Sequence, residues 1–167
     1  LKYKKELEDS PAQLVAVSKF HDEAEIMEAY NAGQRVFGEN IVQELVDKQA
    51  KLPGDIEWHL IGHLQSNKVK YIAPFISLIE SVDSEKLLTE INKHAAKNNR
   101  VIDCLLQVYI ADEETKFGLS FDEVVELLRS ENFQNLKNVR IVGLMGIASN
   151  TTSEKQIRDE FQELKVL

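Results

Sequence analysis

The feature of this sequence that most constrains its fold is a repeated alternation between short apolar runs and segments with helical spacing. The apolar runs predict six β-strands, at residues 13–18, 35–37, 57–61, 76–81, 101–109 and 139–145. Helical spacing or a capping residue predicts a helix after each strand, at residues 22–32, 39–50, 66–72, 84–98, 120–129 and 153–167. We also expect a short leading helix near residues 4–9.

The predicted strands lack polar alternation, which is typical of parallel strands that are covered by helices. Alternating strands and helices leave two architectures, a doubly wound open sheet and a (β/α)8 barrel. No Gly-x-Gly-x-x-Gly follows any strand, which disfavours the dinucleotide-binding form of the open sheet. We therefore predict an α/β protein with a TIM-like (β/α)8 barrel in one domain over residues 1–167. Because only about six of the eight units are present, we expect its C-terminal units to be missing.

Composition narrows the classes of function. The 28 acidic and 20 basic residues leave a net charge of -8, which disfavours non-specific binding to nucleic acid or to an anionic membrane. The sequence has no apolar run of about 18 residues, the length that a membrane span needs, and its N-terminal stretch is charged rather than signal-like. We therefore expect a cytoplasmic protein. Cys104 stands alone within an apolar run, which predicts a buried structural thiol.

A lysine follows the first predicted strand. The run from Leu14 to Val17 is interpreted as a strand buried on both faces, and Lys19 stands at its carboxyl end. An amine at this position is either a surface cation or a nucleophile for carbonyl chemistry. Burial would favour the nucleophile, because it disfavours the charged ammonium form. Position alone favours the surface cation and leaves both interpretations open.

In a (β/α)8 barrel the active face is formed by the carboxyl ends of the strands, so residues at those ends are expected to share one cavity. The candidates are Lys19, Asn40, His59, Lys116 and Met145. Each also has an ordinary structural explanation: Lys19 as a solvated cation, Asn40 as a helix cap, His59 as a core histidine, Lys116 as a loop residue and Met145 as a core residue. His59 and His63 are spaced like zinc ligands on a helix, but they fall on a strand end without an evident third ligand. We therefore predict no metal site.

Five blocks of residues stand in an order that resembles a known family. The blocks are Ala16-Val17-Ser18-Lys19, Phe37-Gly38-Glu39-Asn40-Ile41-Val42-Gln43-Glu44, Trp58-His59-Leu60-Ile61-Gly62-His63-Leu64-Gln65-Ser66-Asn67-Lys68, Glu114-Thr115-Lys116-Phe117-Gly118 and Gly143-Leu144-Met145-Gly146-Ile147. Over nearly the whole chain they resemble the pyridoxal phosphate homeostasis proteins. The resemblance implies a barrel like the N-terminal domain of alanine racemase, which carries pyridoxal 5′-phosphate (PLP) as a Schiff base.

The same resemblance implies roles for the candidate residues. It identifies Lys19 with the Schiff-base lysine and Asn40 with a residue that lines the cofactor, and it places His59 and Met145 near the site. Our own hypothesis is that Lys116 offers a second amine to PLP. The phosphate-binding residues of the family follow its last two strands, so we expect them beyond Leu167.

The function that the resemblance implies is PLP binding in intracellular vitamin B6 and amino-acid homeostasis. Racemases of related fold use a tyrosine from an additional domain, which this chain lacks, so we expect no robust catalysis. The alternative is a PLP-dependent amino-acid racemase or decarboxylase, and a third class is a Schiff-base aldolase barrel without PLP. We expect a monomer that exchanges PLP with apo-enzymes and binds neither nucleic acid nor membrane.

Overall fold

The computed structural model describes residues 7, 9–111 and 118–167. Its strands are β1 (Ala16–Val17), β2 (Val36–Glu39), β3 (Glu57–Leu60), β4 (Leu78–Val82), β5 (Ile102–Val108) and β6 (Val139–Gly146). Its helices are α1 (Glu23–Asn31), α2 (Val42–Gln49), α3 (Val69–Ile72), α4 (Glu85–Lys97), α5 (Phe121–Arg129), α6 (Glu131–Asn135) and α7 (Glu154–Val166). A 3₁₀ turn, Ser66–Lys68, precedes α3. Most of the leading helix predicted near residues 4–9 lies outside the described residues.

The six strands are parallel and lie side by side in chain order. This order is that of a (β/α)8 barrel wall, whereas a doubly wound sheet changes direction near its middle. The prediction of a barrel-type α/β fold with about six units is confirmed. One row of paired residues crosses the sheet from the end of β1 to the start of β6, through Val17, Gly38, His59, Leu78, Asp103 and Arg140. Such a stagger is what tilts the strands of a barrel.

Four helices, α1, α4, α5 and α7, begin after the capping residues that the sequence indicates. Asp22 with Glu25, and Ser120 with Glu123, form capping boxes at the starts of α1 and α5. Gly33, with a φ of 90°, follows α1 in the left-handed conformation that commonly ends a helix. Ser84 and Ser153 precede the two longest helices, α4 and α7, and the side chain of each accepts one backbone N–H.

Several elements differ from the sequence predictions. The second strand continues to Glu39 and α2 starts only at Val42, because Gly38 and Glu39 still pair with β3. Strand β1 is confined to Ala16–Val17. The short helix α6 was not predicted; its sequence is polar, and it forms where the Ser130 hydroxyl accepts the N–H of Phe133.

The main core lies between the sheet and its helices. Phe37 and Trp58 face it, with ring centroids 6.0 Å apart, and both are buried. Cys104 is also fully buried there, as predicted, and burial raises the pKa of its thiol to about 12. The expectation that the first strand is buried on both faces is wrong, since Val17 is 50% exposed. Val17 lies on the opposite face of the sheet from this core, a face that the described residues leave partly open.

Candidate functional site

The carboxyl ends of β1 and β2 bring two candidate residues into equivalent positions. Val17 pairs with Gly38, and Lys19 and Asn40 each follow two residues later. Because neighbouring parallel strands end at the same edge of a sheet, both residues lie at the edge where a barrel holds its ligands. Lys19 and Asn40 are each half-buried.

Lys19 lies in a tight turn between β1 and α1. The carbonyl of Ser18 accepts a hydrogen bond from the N–H of His21 at 3.1 Å, so Lys19 and Phe20 are the central residues of a four-residue turn. Phe20 has a φ of 66°, a conformation that glycine usually supplies. Its side chain is 81% exposed, so side-chain packing does not hold it in this conformation.

A buried ionic group, the Lys48 cluster, holds this turn; it comprises Ser18, Glu39, Glu44 and Lys48. The ammonium of Lys48 donates to the Ser18 carbonyl at 2.7 Å, to Glu39 Oε1 at 2.7 Å and to Glu44 Oε1 at 2.6 Å. Glu44 Oε1 also accepts the N–H of Phe20 at 2.8 Å, and the Ser18 hydroxyl donates to Glu39 Oε1 at 2.7 Å. The cluster therefore binds the peptide groups on both sides of Lys19.

The Lys48 cluster stabilises its own charges. The side chain of Lys48 is 6% exposed and that of Glu39 is fully buried. Burial acts to lower the pKa of Lys48, but the hydrogen bonds to Glu39 and Glu44 outweigh it, and the pKa lies above its usual value. The hydrogen bond from Lys48 and the N–H of Phe20 together hold the pKa of Glu44 below its usual value, against the opposing effect of burial. Lys48 therefore remains an ammonium ion at neutral pH.

Asn40 lies where the loop after β3 crosses the end of β2. A Cβ atom added to Gly62 would lie 2.7 Å from both the Cα and the carbonyl oxygen of Asn40, so only glycine allows this approach. The hydroxyl of Ser81 donates to the Gly62 carbonyl at 2.6 Å and fixes the loop from the other side. A cavity of about 250 Å³ opens here between Asn40, His63 and neighbouring residues.

His59 lies within β3 and is buried. Its Nδ1 atom is 2.7 Å from Oε1 of Glu80 on β4. The carboxylate fixes the orientation of the imidazole ring, as carboxylates commonly do for functional histidines. His63, in the loop that follows, pairs similarly with Asp83 at 3.0 Å. Within the described ranges, no group of three or more His, Cys, Asp or Glu side chains is arranged to hold a metal ion.

Met145 lies near the end of β6, in register with Gln107 of β5, and it is half-buried. Lys116, the remaining candidate, lies outside the described residues. The structure therefore places Lys19, Asn40, His59 and Met145 on or just after four strands of one sheet, towards their carboxyl ends. Among these four residues, His59 has a side-chain hydrogen bond to an acidic residue, Glu80.

Sequence reasoning missed the Lys48 cluster and the partner of His59. Glu44 and Lys48 are four residues apart on a helix, a spacing more typical of a solvated ion pair. Glu39 was expected to begin that helix, whereas it ends β2 and is carried into the interior. The available signal was the position of Glu39 directly after a buried apolar strand, because a carboxylate there needs a cation within reach.

Across the described residues, none of the helices is both long enough and apolar enough to cross a lipid bilayer. This finding concerns helices only. The longest described helices, α4 and α7, have 13 residues each, and both are rich in charged side chains.

Comparison with known proteins identifies the family. Residues 2–166 match the family model described as alanine racemase, N-terminal domain. The chain is 42% identical to the pyridoxal phosphate homeostasis protein of Aquifex aeolicus over 157 residues, which cover 93% of this chain and 68% of that protein. It is also 42% identical to the protein of the same name from Schizosaccharomyces pombe, covering 92% of this chain and 64% of the relative.

A solved structure agrees with these matches. PipY of Synechococcus elongatus, determined with PLP bound, superposes with a TM-score of 0.84 at 35% identity. The match covers 99% of this chain and 78% of PipY. The present chain thus spans about two thirds of the length of the curated relatives and somewhat more of the solved one. The fold, the strand-end residues and these matches agree. The chain belongs to the pyridoxal phosphate homeostasis proteins, which share the barrel of the alanine racemase N-terminal domain.

Proposed function

We propose that this chain binds PLP through Lys19 and takes part in intracellular PLP (vitamin B6) and amino-acid homeostasis. The observation that carries the proposal is the amine of Lys19, held in a braced turn at the carboxyl end of β1, in a family member whose solved relative PipY has PLP bound. When bound, PLP supplies an aldehyde that reacts with an amine and a ring that accepts electrons.

The residues around Lys19 fit an aldehyde-bearing ring. The Lys48 ammonium is already bound to three acceptors, which leaves Lys19 as the amine of this turn that can react. Gly38, in register between Val17 and His59, adds no side chain to the open face of the sheet, and the side chains of Val15 and Ile61 lie 3.0 Å from the place that a Cβ atom would take. These apolar side chains, with polar residues at the strand ends, suit a flat ring with polar substituents.

The other candidate residues receive roles in the same proposal. Asn40 lines the cofactor, and its amide offers both hydrogen-bond donors and an acceptor. His59, oriented by Glu80, presents an imidazole of fixed geometry beside it. Met145 contributes an apolar wall. The role of Lys116 as a second amine for PLP stays a hypothesis. The residues that hold the phosphate group are not assigned within the described chain.

We further propose a carrier rather than an enzyme. A PLP-dependent racemase needs acid–base groups on both faces of the substrate carbon, and the described site offers one lysine and one carboxylate-bound histidine. A cytoplasmic location, a monomeric state and exchange of PLP with apo-enzymes stay predictions. The acidic net charge of -8 supports partners other than nucleic acid.

Reduction with borohydride tests the proposal. The protein is incubated with PLP, reduced, digested and analysed by mass spectrometry, with Lys19→Arg as the matched control that keeps the positive charge. We expect a pyridoxyl group on Lys19 and no adduct at position 19 of the variant. An unmodified Lys19 in the parent protein would refute PLP attachment at this residue.

A panel of D- and L-amino acids then distinguishes carrier from enzyme. The PLP-loaded protein is incubated with each amino acid, and racemisation and decarboxylation are followed by chiral chromatography. We expect no turnover above that of free PLP. Turnover that disappears in Lys19→Arg would replace the carrier assignment with the racemase or decarboxylase alternative.

A further inference from the structure

We propose that Lys48 and Glu44 are positioning residues for Lys19: they brace the main chain on both sides of it and so present its amine to the aldehyde. This inference rests on the proposed function, because it assumes that Lys19 is the lysine to which PLP is attached. Neither residue is given a role by the family resemblance or by the predicted site. Both belong to α2, while Lys19 lies in the turn after β1.

The brace acts on the two peptide groups that flank Lys19. Lys48 binds the carbonyl of Ser18, which belongs to the peptide before Lys19, at 2.7 Å. Glu44 binds the N–H of Phe20, which belongs to the peptide after Lys19, at 2.8 Å. The orientation of these two peptides fixes the position of the Cα atom between them and the direction of its Cα–Cβ bond, from which the side chain extends. The cluster therefore restricts the main chain of Lys19 without contacting its amine.

The conformation of Phe20 is further evidence for the brace. A φ of 66° is unfavourable for a residue with a Cβ atom, and the side chain of Phe20 is too exposed to offset this cost by packing. The hydrogen bond to Glu44 is the described contact that supports it. Strained backbone of this kind persists where the surrounding structure over-determines it, and it is often found at functional sites.

The brace also separates two lysines that lie at the same strand end. The Lys48 ammonium uses all three of its donors and has a side chain only 6% exposed, so it is neither neutral nor accessible to an aldehyde. Lys19 is the lysine of the turn itself. The arrangement thus selects one amine for reaction and holds the other as a structural cation.

Correct presentation matters for the bond that forms. The neutral Nζ of Lys19 bonds to the aldehyde carbon, and the aldehyde oxygen leaves as water with the two amine protons. The attack requires the two reacting atoms to approach along a restricted direction. Misplacement by about 1 Å can slow such a step by roughly 100-fold.

The decisive comparison is between Glu44→Ala and Glu44→Gln. Alanine removes the acceptor for the Phe20 N–H, whereas the amide oxygen of glutamine can still accept it. We expect Glu44→Ala to slow attachment of PLP to Lys19 by roughly tenfold or more. Glu44→Gln should attach PLP appreciably faster than Glu44→Ala. Attachment is measured from the visible absorbance of the imine, and its site is verified by reduction and mass spectrometry.

Hydrogen exchange of the PLP-free protein gives a second readout. The amide of Phe20 should lose protection in Glu44→Ala, retain it in Glu44→Gln, and be unaffected by Lys51→Met. Lys51 is the matched control: it follows the C-terminal end of α2 and pairs with Glu23 at 2.6 Å, but its side chain is largely exposed. Both alanine and glutamine variants are first shown to be folded by circular dichroism.

The outcomes separate the two proposals. A pyridoxyl group on Lys19 that forms equally fast in the parent protein and in Glu44→Ala would overturn the positioning role and leave the proposed function intact. Unchanged protection at Phe20 in Glu44→Ala would overturn the brace itself. No adduct in the parent protein, combined with lost protection at Phe20 in Glu44→Ala, would overturn PLP attachment while the brace remained as a structural feature.

Discussion

Glu44 accepts the backbone N–H of Phe20 at 2.8 Å, so a helix residue holds a turn that lies 24 positions earlier in the chain. The same oxygen accepts the ammonium of Lys48 at 2.6 Å. The turn that carries Lys19 is thereby tied to α2, and its shape depends on tertiary contacts as well as on its own sequence. This dependence can be examined by changing the turn, the cluster and the neighbouring loop one at a time.

The turn itself gives the first prediction. Phe20→Gly should be about 1 kcal/mol more stable than Phe20→Ala, because a left-handed residue with a Cβ atom costs roughly 1–2 kcal/mol. This difference is a net value, because the greater freedom of glycine in the unfolded chain offsets about 0.4–1 kcal/mol of that cost. Both variants remove the same exposed ring, so their comparison isolates the backbone. Urea unfolding measures the difference, and a more stable alanine variant would contradict the strained conformation.

The buried ion pair gives the second prediction. Lys48→Met should lower the free energy of unfolding by about 3–5 kcal/mol, because it leaves the fully buried carboxylate of Glu39 without its cation. Among the described residues Oε2 of Glu39 has no hydrogen-bond partner, and without Lys48 its Oε1 would keep the uncharged Ser18 hydroxyl as its donor. The exposed pair Lys51–Glu23 supplies the control, and Lys51→Met should unfold at nearly the parental urea concentration.

A double variant distinguishes a loss of stability caused by the unpaired charge from one caused by lost packing. Glu39→Gln combined with Lys48→Met removes both charges, and it should recover a substantial part of the stability lost in Lys48→Met alone. Equal losses in the single and double variants would mean that Lys48 contributes by packing rather than by charge.

The pH dependence of stability gives the third prediction. The pKa of Glu44 lies below the ordinary value of 4.5, first because of its hydrogen bond to Lys48 and also because of the Phe20 N–H. A depressed pKa stabilises the folded state above the unfolded value, and this contribution is lost as the pH falls through the folded value. Glu44→Gln should therefore show a shallower loss of stability below about pH 4.5 than the parent. Urea unfolding at several acidic pH values tests this, and parallel curves would contradict it.

The same cluster predicts behaviour at alkaline pH. The pKa of Lys48 is raised above 10.5, so its contribution is fully present below that pH and is lost as the pH rises through the folded value. Lys48→Met should abolish this part of the alkaline loss. The comparison is made with the same unfolding series, extended to high pH.

The loop over Asn40 gives the fourth prediction. Gly62→Ala should cost about 1–3 kcal/mol, because the new Cβ atom would lie 2.7 Å from the main chain of Asn40 and one of the two segments must move. Gly54→Ala is the control, since no atom lies within 4 Å of its added Cβ. If Asn40 lines the cofactor, Gly62→Ala should also weaken PLP binding, which titration of the absorbance would measure. Equal stability of the two variants would contradict the close approach.

The fold was largely predictable because its signals are local. Apolar runs and capping residues such as Asp22 and Ser120 mark the elements directly, and the alternation of strands with helices restricts the topology. Helix α6 escaped prediction because Ser130 alone indicates its start. The exposure of Val17 could not be inferred, since it depends on which strands cover the open face of the sheet.

The site was predictable only in part. The position of Lys19 after a strand and the family blocks identify the candidate amine, and the family assignment is confirmed. The roles of Asn40, His59, Lys116 and Met145 stay predictions. The brace around Lys19 could not be anticipated, because Glu44 and Lys48 form an ordinary helical pair in sequence, and Lys48 becomes buried only when α2 packs against β2 and β3.

The two-residue pairing between β1 and β2 has a consequence for local opening. Strand β1 is joined to the sheet through Ala16 and Val17, whereas β5 and β6 share seven register pairs. Segments with so few contacts separate from a fold at a lower free energy than the whole molecule needs to unfold. A ligand attached to Lys19 that makes its other contacts in the closed form alone would shift this equilibrium towards that form. Ligand occupancy at Lys19 would then be visible as slower hydrogen exchange in β1, the strand that pairs with the sheet through two residues.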